Sequence, residues 1–287
     1  MKIKRKYRWL CLVLALAVLA AGIGYLATRG DWWYYLELAV RSYPEPELTA
    51  AQLHESDCTE WTWEDLKGAD GVTVSCLLML VNASHPLPAG YEAELTEYNG
   101  AEMHPLMVEP YIALRDTVLA ETGVRIYVAD DYRTAEEQME ILESSEEGTA
   151  AAPGCSEHEA GLSLDVYAPY CAGKEFLKSA AGRMVNRVCG EYGFVIRYPL
   201  GKEEITGISY EPWHLRYVGE PHAEIMMNSG LTLEEYIQAL TPEVWFAHGN
   251  YLILRTAADA CRLPQGWERC EISEDNAGYR IVTLKMP

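Results

Sequence analysis

The sequence predicts an α+β protein with a short β appendage at its C-terminus. Stretches with helical and with strand periodicity are interspersed along the chain, without the regular alternation that a parallel βαβ sheet requires. After residue 240 the composition turns rich in β-forming residues, with two strand-like runs at 251–257 and 279–285. The chain has 287 residues, of which 49% are hydrophobic, so it is long and apolar enough to bury a core.

The individual elements follow from periodicity and from turn residues. Apolar or alternating runs predict strands at residues 72–82, 124–132, 161–168, 194–199 and 208–219. Helical spacing or composition predicts helices at residues 107–123, 133–144, 174–193 and 233–240. Tyr111, Leu114 and Val118 mark the buried face of the first of these helices, and Gly123 is suited to end it. Thr232 and Glu235 form a capping box at the start of the last one.

The N-terminus predicts a membrane anchor. Basic residues crowd positions 2–8, and the nineteen residues 9–27 carry no charge, which is about enough to span a bilayer as a helix. Basic residues before the span favour a cytoplasmic N-terminus, so we expect a single-pass protein of the cell membrane whose remaining chain is extracytoplasmic. The aromatic run at residues 32–35 then suits the outer interface. A cleaved signal peptide is the alternative.

These features divide the chain into four parts. We predict a basic cytoplasmic tip and anchor at residues 1–29, a polar, proline-bearing juxtamembrane tether at 30–71, a main folded domain at 72–240 and a β-hairpin appendage at 241–287. The net charge of −20 excludes nucleic acid as a partner, because phosphate binding needs clustered Lys and Arg. Cys261 and Cys270 bracket a turn-rich loop in the appendage, which predicts a disulfide there; burial as free thiols is the alternative.

A histidine and an aspartate stand seven positions apart around a glycine in "PGCSEHEAGLSLDV", residues 153–166. Histidine nitrogen and carboxylate oxygen are good zinc ligands, and a catalytic zinc site usually has three protein ligands and one open position. His158 and Asp165 provide two of them. In "SYEPWHLRYVG", His214 would be the third, and Glu211 would be close enough to take a proton from a zinc-bound water.

Each of these residues also has a structural interpretation. Most single histidines are ordinary surface or core residues, and we interpret the other five in that way: His54, His85, His104, His222 and His248. The pair His158 and Glu159 does not begin a zincin helix, since no second histidine stands four positions later. The segment around Glu211 could be an edge strand with a proline.

Longer motifs favour the metal site. The segments S-x-H-x-x-G-x-x-x-D at residues 156–165 and E-x-W-H-x-R-Y-V-G at 211–219 resemble the signature of the VanY-type D-alanyl-D-alanine carboxypeptidases, zinc peptidases of the bacterial cell wall related in fold to the zinc domain of hedgehog proteins. The stretches "LMLVNASHPLPAGY", "YRTAEEQ" and "YGFVIRYPLGKEEITG" are similar to further family segments, so the resemblance runs from about residue 77 to 240. It implies a small, mainly antiparallel sheet with flanking helices around a zinc site.

The resemblance also implies roles for single residues. His158, Asp165 and His214 would bind one Zn²⁺ per chain, with Glu211 as catalytic base. Arg133 would stabilise the oxyanion, for which a surface salt bridge is the alternative. Gln138, Ser156 and Tyr132 would hold the end of the peptide.

The function implied is removal of the C-terminal D-alanine from peptidoglycan stem peptides, with the stems and the membrane as partners. An L,D-carboxypeptidase acting on tetrapeptide stems and a non-catalytic wall-binding module are the alternatives. One departure bears on the substrate: Asp130 and Asp131 stand where the family usually has Ser-Gly, and we expect them to face solvent or to pair with a cation.

Overall fold

The structure, a computed structural model, describes residues 31–145 and 150–287, together with the isolated positions 16, 18 and 22. The predicted cytoplasmic tip and, apart from those three positions, the predicted membrane anchor therefore lie outside the described residues. Within the described ranges, no helix is both long enough and apolar enough to cross a bilayer.

The described chain mixes helices with mainly antiparallel sheets, which confirms the α+β class. The strands, in chain order, are β1 (Thr49–Ala50), β2 (Cys58–Thr62), β3 (Val72–Ser75), β4 (Thr96–Tyr98), β5 (Ala101–Met103), β6 (Tyr127–Asp130), β7 (Ser163–Tyr167), β8 (Phe194–Ile196), β9 (His214–Tyr217), β10 (Trp245–His248), β11 (Tyr251–Thr256), β12 (Ala260–Pro264), β13 (Arg269–Glu274) and β14 (Arg280–Lys285). The α-helices are α1 (Trp32–Val40), α2 (Trp63–Lys67), α3 (Val108–Thr122), α4 (Ala135–Ser144), α5 (Ala180–Val188), α6 (Glu203–Thr206), α7 (His222–Ser229) and α8 (Leu233–Ala239). Short 3₁₀ helices lie at Glu55–Asp57, Pro105–Met107, Gly173–Lys178 and Cys189–Tyr192.

An antiparallel sheet of four strands, in the order β6-β7-β9-β8, forms the centre of the molecule. Its strands alternate: Leu164 and Val166 of β7 point into the core, whereas Asp165 between them points to the opposite face. The helix α3 contributes the predicted face of Tyr111, Leu114 and Val118 to the same core, and it ends at Gly123 in the left-handed conformation (φ 70°).

Several predicted elements are shorter or interrupted in the structure; the predicted strand at 208–219, for example, is a strand only at His214–Tyr217. The predicted helix at 174–193 is interrupted at Ser179, whose hydroxyl accepts a hydrogen bond from the Gly182 amide and begins α5. The predicted strand at 72–82 ends at Ser75. Residues 77–81 beyond it are buried but do not continue the strand: Arg216 donates to the carbonyls of Leu77 and Met79, and the Leu80 amide donates to the carbonyl of Asp275. Their apolar run reflects burial and not strand pairing.

The C-terminal strands belong to a six-stranded sheet in the order β1-β10-β11-β14-β13-β3. Two of its strands, β1 and β3, come from residues before the central sheet, and β3 pairs in parallel with β13. The segment predicted as a tether also contains β2, which pairs with β12, and α1, whose Tyr34 is buried. Strands from the N-terminal part of the described chain therefore pair with strands from its C-terminal part. The domain limits at residues 71 and 240 stay a prediction.

The predicted disulfide is absent from the structure. All seven cysteines of the described chain are free thiols, and both Cys261 and Cys270 are buried. Cys261 lies in β12 opposite Trp61 of β2, whereas Cys270 lies in β13 between Val72 and Leu284, so the two occupy strands of different sheets. Both pack in one apolar cluster, where burial raises the pKa of each thiol to about 12.

Candidate metal centre

The register of the central sheet brings two of the predicted ligands together. Asp165 of β7 lies directly opposite His214 of β9, and cross-strand neighbours on one face have their side chains within reach of each other. Oδ1 of Asp165 lies 2.9 Å from Nδ1 of His214. The two residues are 49 positions apart in the sequence, and the strand pairing alone accounts for their meeting.

A tight turn before β7 adds His158. The amide of Gly161 donates to the carbonyl of His158, and Gly161 has a φ of +69°. A Cβ at this position would lie 2.7 Å from the side chain of Leu95, so the conformation favours glycine, and a larger residue would also have to displace the Leu95 side chain. The turn places Nε2 of His158 3.5 Å from Oδ1 of Asp165, while its Nδ1 contacts the carbonyl of Asp131.

These three residues form a site with the chemistry of a metal centre. One ligand atom from each of His158, Asp165 and His214 can be chosen so that all lie within 4.8 Å of one another. Oδ1 of Asp165 is buried close to both histidines, but neither contact has hydrogen-bond geometry. A buried carboxylate oxygen without a hydrogen-bond partner among the described residues is costly unless a cation binds there. Two imidazole nitrogens and one carboxylate oxygen are a donor set that suits zinc.

The three carboxylates around His214 dominate the electrostatics of the site. Burial lowers the pKa of His214, but its contacts with Asp165 and Glu157 and the charge of Glu211 outweigh burial and raise it to about 9. Burial raises the pKa of Asp165, but the two histidines outweigh burial and hold it below the usual range. The protein therefore concentrates negatively charged carboxylates around a pair of histidines, and this arrangement attracts a cation.

Glu211 lies beside this cluster, in the turn that leads into β9. The His214 amide donates to the carbonyl of Glu211, and Oε2 of Glu211 lies 3.8 Å from Nδ1 of His214. Burial, assisted by the charge of Asp165, raises the pKa of Glu211 to about 7, although His214 and Arg133 oppose the shift. A carboxyl group with this pKa can accept and return a proton near neutral pH.

Arg133 reaches the same cleft and is held by two neighbours. Its Nε and Nη2 contact Oδ2 of Asp130 at 3.1 and 2.9 Å, and its Nη1 donates to Oε1 of Gln138 at 2.7 Å. Asp130 thus pairs with a cation, as predicted, whereas Asp131 accepts a hydrogen bond from the Glu102 amide. The salt bridge considered as an alternative for Arg133 is present, but the side chain is largely buried and not on the surface.

The remaining predicted substrate contacts are placed differently. Ser156 is buried in the wall of the cleft, and its hydroxyl oxygen accepts a hydrogen bond from the His158 amide. Gln138 also lines the cleft, but its amide is occupied by Arg133 and by the carbonyl of Ala151. Tyr132 is not among the residues that line the cleft. Its predicted role stays a prediction.

The cleft has a volume of about 210 Å³ and includes residues for which no role was predicted. Tyr198, Ile208 and Trp213 contribute apolar walls, and the ring of Tyr198 lies 4.8 Å from that of His214. Glu157, next to a predicted ligand, is completely buried behind His214. Its position between Ser156 and His158 in the motif was the only signal available for it.

The chain is similar to known cell-wall peptidases. Residues 101–220 match the family described as "VanY: D-alanyl-D-alanine carboxypeptidase". The chain is 38% identical over 183 residues to the bifunctional D-Ala-D-Ala dipeptidase and D-Ala-D-Ala carboxypeptidase VanXYC of Enterococcus gallinarum, with 58% of this chain and 96% of that protein covered.

Two solved structures are similar to this chain in both fold and sequence. A variant of the vancomycin-resistance D,D-pentapeptidase VanY from a VanB-type resistance cassette, in complex with Zn(II), matches with a TM-score of 0.51 and 35% identity over 56% of this chain and 98% of that chain. The LD-carboxypeptidase LdcB matches with a TM-score of 0.52 and 31% identity over 61% of this chain and 93% of that chain.

Proposed function

We propose that this protein is a zinc-dependent D,D-carboxypeptidase that removes the terminal D-alanine from peptidoglycan stem peptides. The premise is that the chain belongs to the VanY family of D-alanyl-D-alanine carboxypeptidases. The observation that carries the proposal is the cluster of His158, Asp165 and His214 with Glu211 beside it. A wall-binding module without activity would have no use for this set, and belonging to this family of enzymes argues against one.

His158, Asp165 and His214 would hold the zinc ion. Bound there, zinc would act as a Lewis acid: it would polarise the scissile carbonyl and lower the pKa of a coordinated water to about 7. Glu211 would accept the proton released and return it to the departing amine, for which its raised pKa is suited. Arg133 would face the carbonyl oxygen, and the grip of Gln138 and Asp130 fixes its guanidinium before substrate arrives.

The terminal carboxylate of the stem would be read by hydrogen-bond donors in the cleft. Ser156 is the candidate with a donor to spare, because its oxygen accepts from the His158 amide and its hydroxyl hydrogen remains available. Gln138 would act indirectly, by orienting Arg133. The extra carboxylate of Asp130 is neutralised by Arg133 and would not repel the anionic end of the peptide.

An L,D-carboxypeptidase is the second candidate. The similarity to the LD-carboxypeptidase LdcB favours it, since that protein shares the fold and 31% of aligned residues. A metal, a base and a guanidinium would serve either stereochemistry, so the choice depends on how the walls of the cleft fit the stem.

Mass spectrometry of purified muropeptides separates the two candidates. Incubation of the protein with tetrapeptide and pentapeptide stems should shorten the pentapeptide by one D-alanine and leave the tetrapeptide intact. Shortening of the tetrapeptide alone would establish the L,D-activity instead. If neither stem changes, although the protein contains zinc, the proposed activity is wrong.

We also propose that the chain is anchored in the membrane with the enzyme outside the cytoplasm. The apolar run at residues 9–27 supports this, and so does α1, which exposes Trp33, Leu36 and Val40 at the spacing of one helix face. The full chain should sediment with membranes and resist extraction at high salt, and N-terminal sequencing should find residues 9–27 retained. A mature protein beginning after residue 27 would identify a cleaved signal peptide.

A further inference from the structure

Glu157 occupies a buried ionic cluster behind the candidate metal centre. Its side chain is completely buried, as are those of Arg197 and Arg216. Oε1 of Glu157 lies 2.6 Å from Nε of Arg197 and 2.8 Å from Nη1 of Arg216. Arg197 also forms a bidentate pair with Glu234 at 2.9 and 2.6 Å. Two cations therefore balance two anions, and the cluster needs no further charge.

The second carboxylate oxygen of Glu157 has a different neighbour. Oε2 lies 3.6 Å from Nε2 of His214, which is too long for a hydrogen bond. Both atoms are buried, and neither has a hydrogen-bond partner among the described residues. A buried acceptor and a buried ring nitrogen that face each other without other partners are complementary when that nitrogen carries a proton.

The two histidines of the centre present opposite nitrogens to it. Nδ1 of His214 faces Asp165 and Glu211, whereas for His158 it is Nε2 that faces Asp165. The outer nitrogen of His158 contacts the carbonyl of Asp131, and the outer nitrogen of His214 faces Glu157. Each histidine thus has one ring nitrogen that faces the centre and a second ring nitrogen that faces an oxygen atom outside it.

We propose that Glu157 is a positioning residue that keeps the proton of His214 on Nε2 and so leaves Nδ1 free to bind the metal. This inference rests on the proposed role of His214 as a ligand. A metal-binding histidine commonly donates its other nitrogen to a carboxylate or carbonyl, which fixes the tautomer and the ring orientation. Arg197 and Arg216 in turn fix Glu157, so the ligand is held from a part of the core that does not contact substrate.

Replacing Glu157 by glutamine tests this assignment with little change of shape. The amide keeps one oxygen, and both guanidinium groups face the position of Oε1, where Nε of Arg197 donates and Nη1 of Arg216 lies 2.8 Å away, so the NH₂ group is left to face His214. Two donors cannot face each other, so Nε2 must become an acceptor and the proton must move to Nδ1, the metal-binding atom. We expect Glu157→Gln to weaken zinc binding about 10–100-fold, measured by competition with a chelator at fixed pH.

Glu234→Gln is the matched control, because it removes a carboxylate from the same Arg197 without touching His214. We expect it to bind zinc as wild type does. If both variants weaken zinc equally, or if Glu157→Gln binds as tightly as wild type, the positioning role is wrong. If wild type itself binds no zinc, the proposed function fails instead.

A second measurement does not depend on the variant folding. In zinc-loaded wild-type protein, ¹⁵N spectra of the histidine side chains, assigned by comparison with His214→Ala, should show a protonated Nε2 and a coordinated Nδ1 for His214. Coordination through Nε2 would overturn the inference even if zinc is bound.

Discussion

Two buried histidines, eight positions apart, have opposite environments. His222 of α7 contacts the hydroxyl of Tyr236 with Nδ1 at 2.6 Å and the hydroxyl of Thr283 with Nε2 at 2.9 Å. Both its nitrogens are satisfied by neutral groups, and burial, with a smaller contribution from His248, lowers its pKa to about 3. His214 is equally buried, but three carboxylates surround it and its pKa is raised to about 9.

The difference shows that the partners of a buried histidine, and not its burial, separate a structural residue from a candidate ligand. His222 links α7, α8 and β14, three elements that pack together, and both of its ring nitrogens already have partners. His214 has an unsatisfied nitrogen on one side and an unsatisfied carboxylate oxygen of Asp165 on the other. This contrast can be tested at both residues and at their neighbours.

The largest effect is expected from the residue beside His214. Glu211→Gln keeps the shape of the side chain but removes the proton acceptor, so turnover of a stem peptide should fall about 10²–10⁴-fold. Zinc content should be unchanged, because Glu211 is not one of the three clustered ligands. His222→Gln should leave turnover per folded molecule unaltered.

A loss smaller than about tenfold for Glu211→Gln would mean that another group accepts the proton. Circular dichroism of both variants checks that the comparison is made on folded protein.

The next effect concerns the end of the substrate. A cleft that hydrogen-bonds a terminal carboxylate should reject a peptide that lacks it, because its own polar groups would remain unpaired. A stem peptide ending in D-Ala-D-Ala amide should therefore be cleaved at least about 100-fold more slowly than the free acid, equivalent to about 2.7 kcal/mol. Steady-state kinetics on the matched pair of peptides measures this ratio.

Equal rates on the acid and the amide would show that the carboxylate is not read. Activity on cross-linked stems would then be the more suitable description, and Ser156→Ala, which removes the spare donor, would have no effect on either peptide.

The sequence predicted the centre more fully than its surroundings. His158, Asp165, His214 and Glu211 could be found because they stand in short contiguous motifs, and the register of β7 and β9 then brings Asp165 to His214. The ion pairs of Glu157 come from Arg197, in the loop after β8, and from Arg216, in β9, and no local pattern connects them to it. A motif specifies residue types, whereas a buried charge network depends on which distant strands pack together.

The six-stranded sheet was not predicted from the sequence, for a related reason. A strand of two residues such as β1 has no periodicity. The start of β3 was predicted, but the strand ends at Ser75 instead of residue 82, and its partner β13 was not predicted. Pairing between residues 72–75 and 270–273 joins segments almost 200 positions apart. The apolar pattern indicates that such a strand is half-buried, but it does not identify its neighbour.

The smallest effect tests the other side of the comparison. The pKa of His222 is lowered in the folded protein from an ordinary value of 6.5, so its contribution to stability is complete above pH 6.5 and is lost as the pH falls toward 3. The free energy of unfolding should decrease by about 1.4 kcal/mol per pH unit in this window from this residue alone.

Other acidic groups also titrate in this range, so the comparison is made with His222→Gln, which cannot gain the proton. Denaturant titrations of the two proteins between pH 6.5 and pH 4.5 should converge as the pH falls. A constant difference in their unfolding free energies would show that His222 does not carry the dependence.

The proposed function requires that His158, Asp165 and His214 bind one zinc ion per chain. Anomalous scattering at the zinc edge, from crystals of the protein that hydrolyses stem peptides, tests it most directly. We predict a single peak per chain about 2.0–2.2 Å from Nε2 of His158, Nδ1 of His214 and an oxygen of Asp165. A peak elsewhere in the chain, or none between these three side chains in active protein, would contradict it.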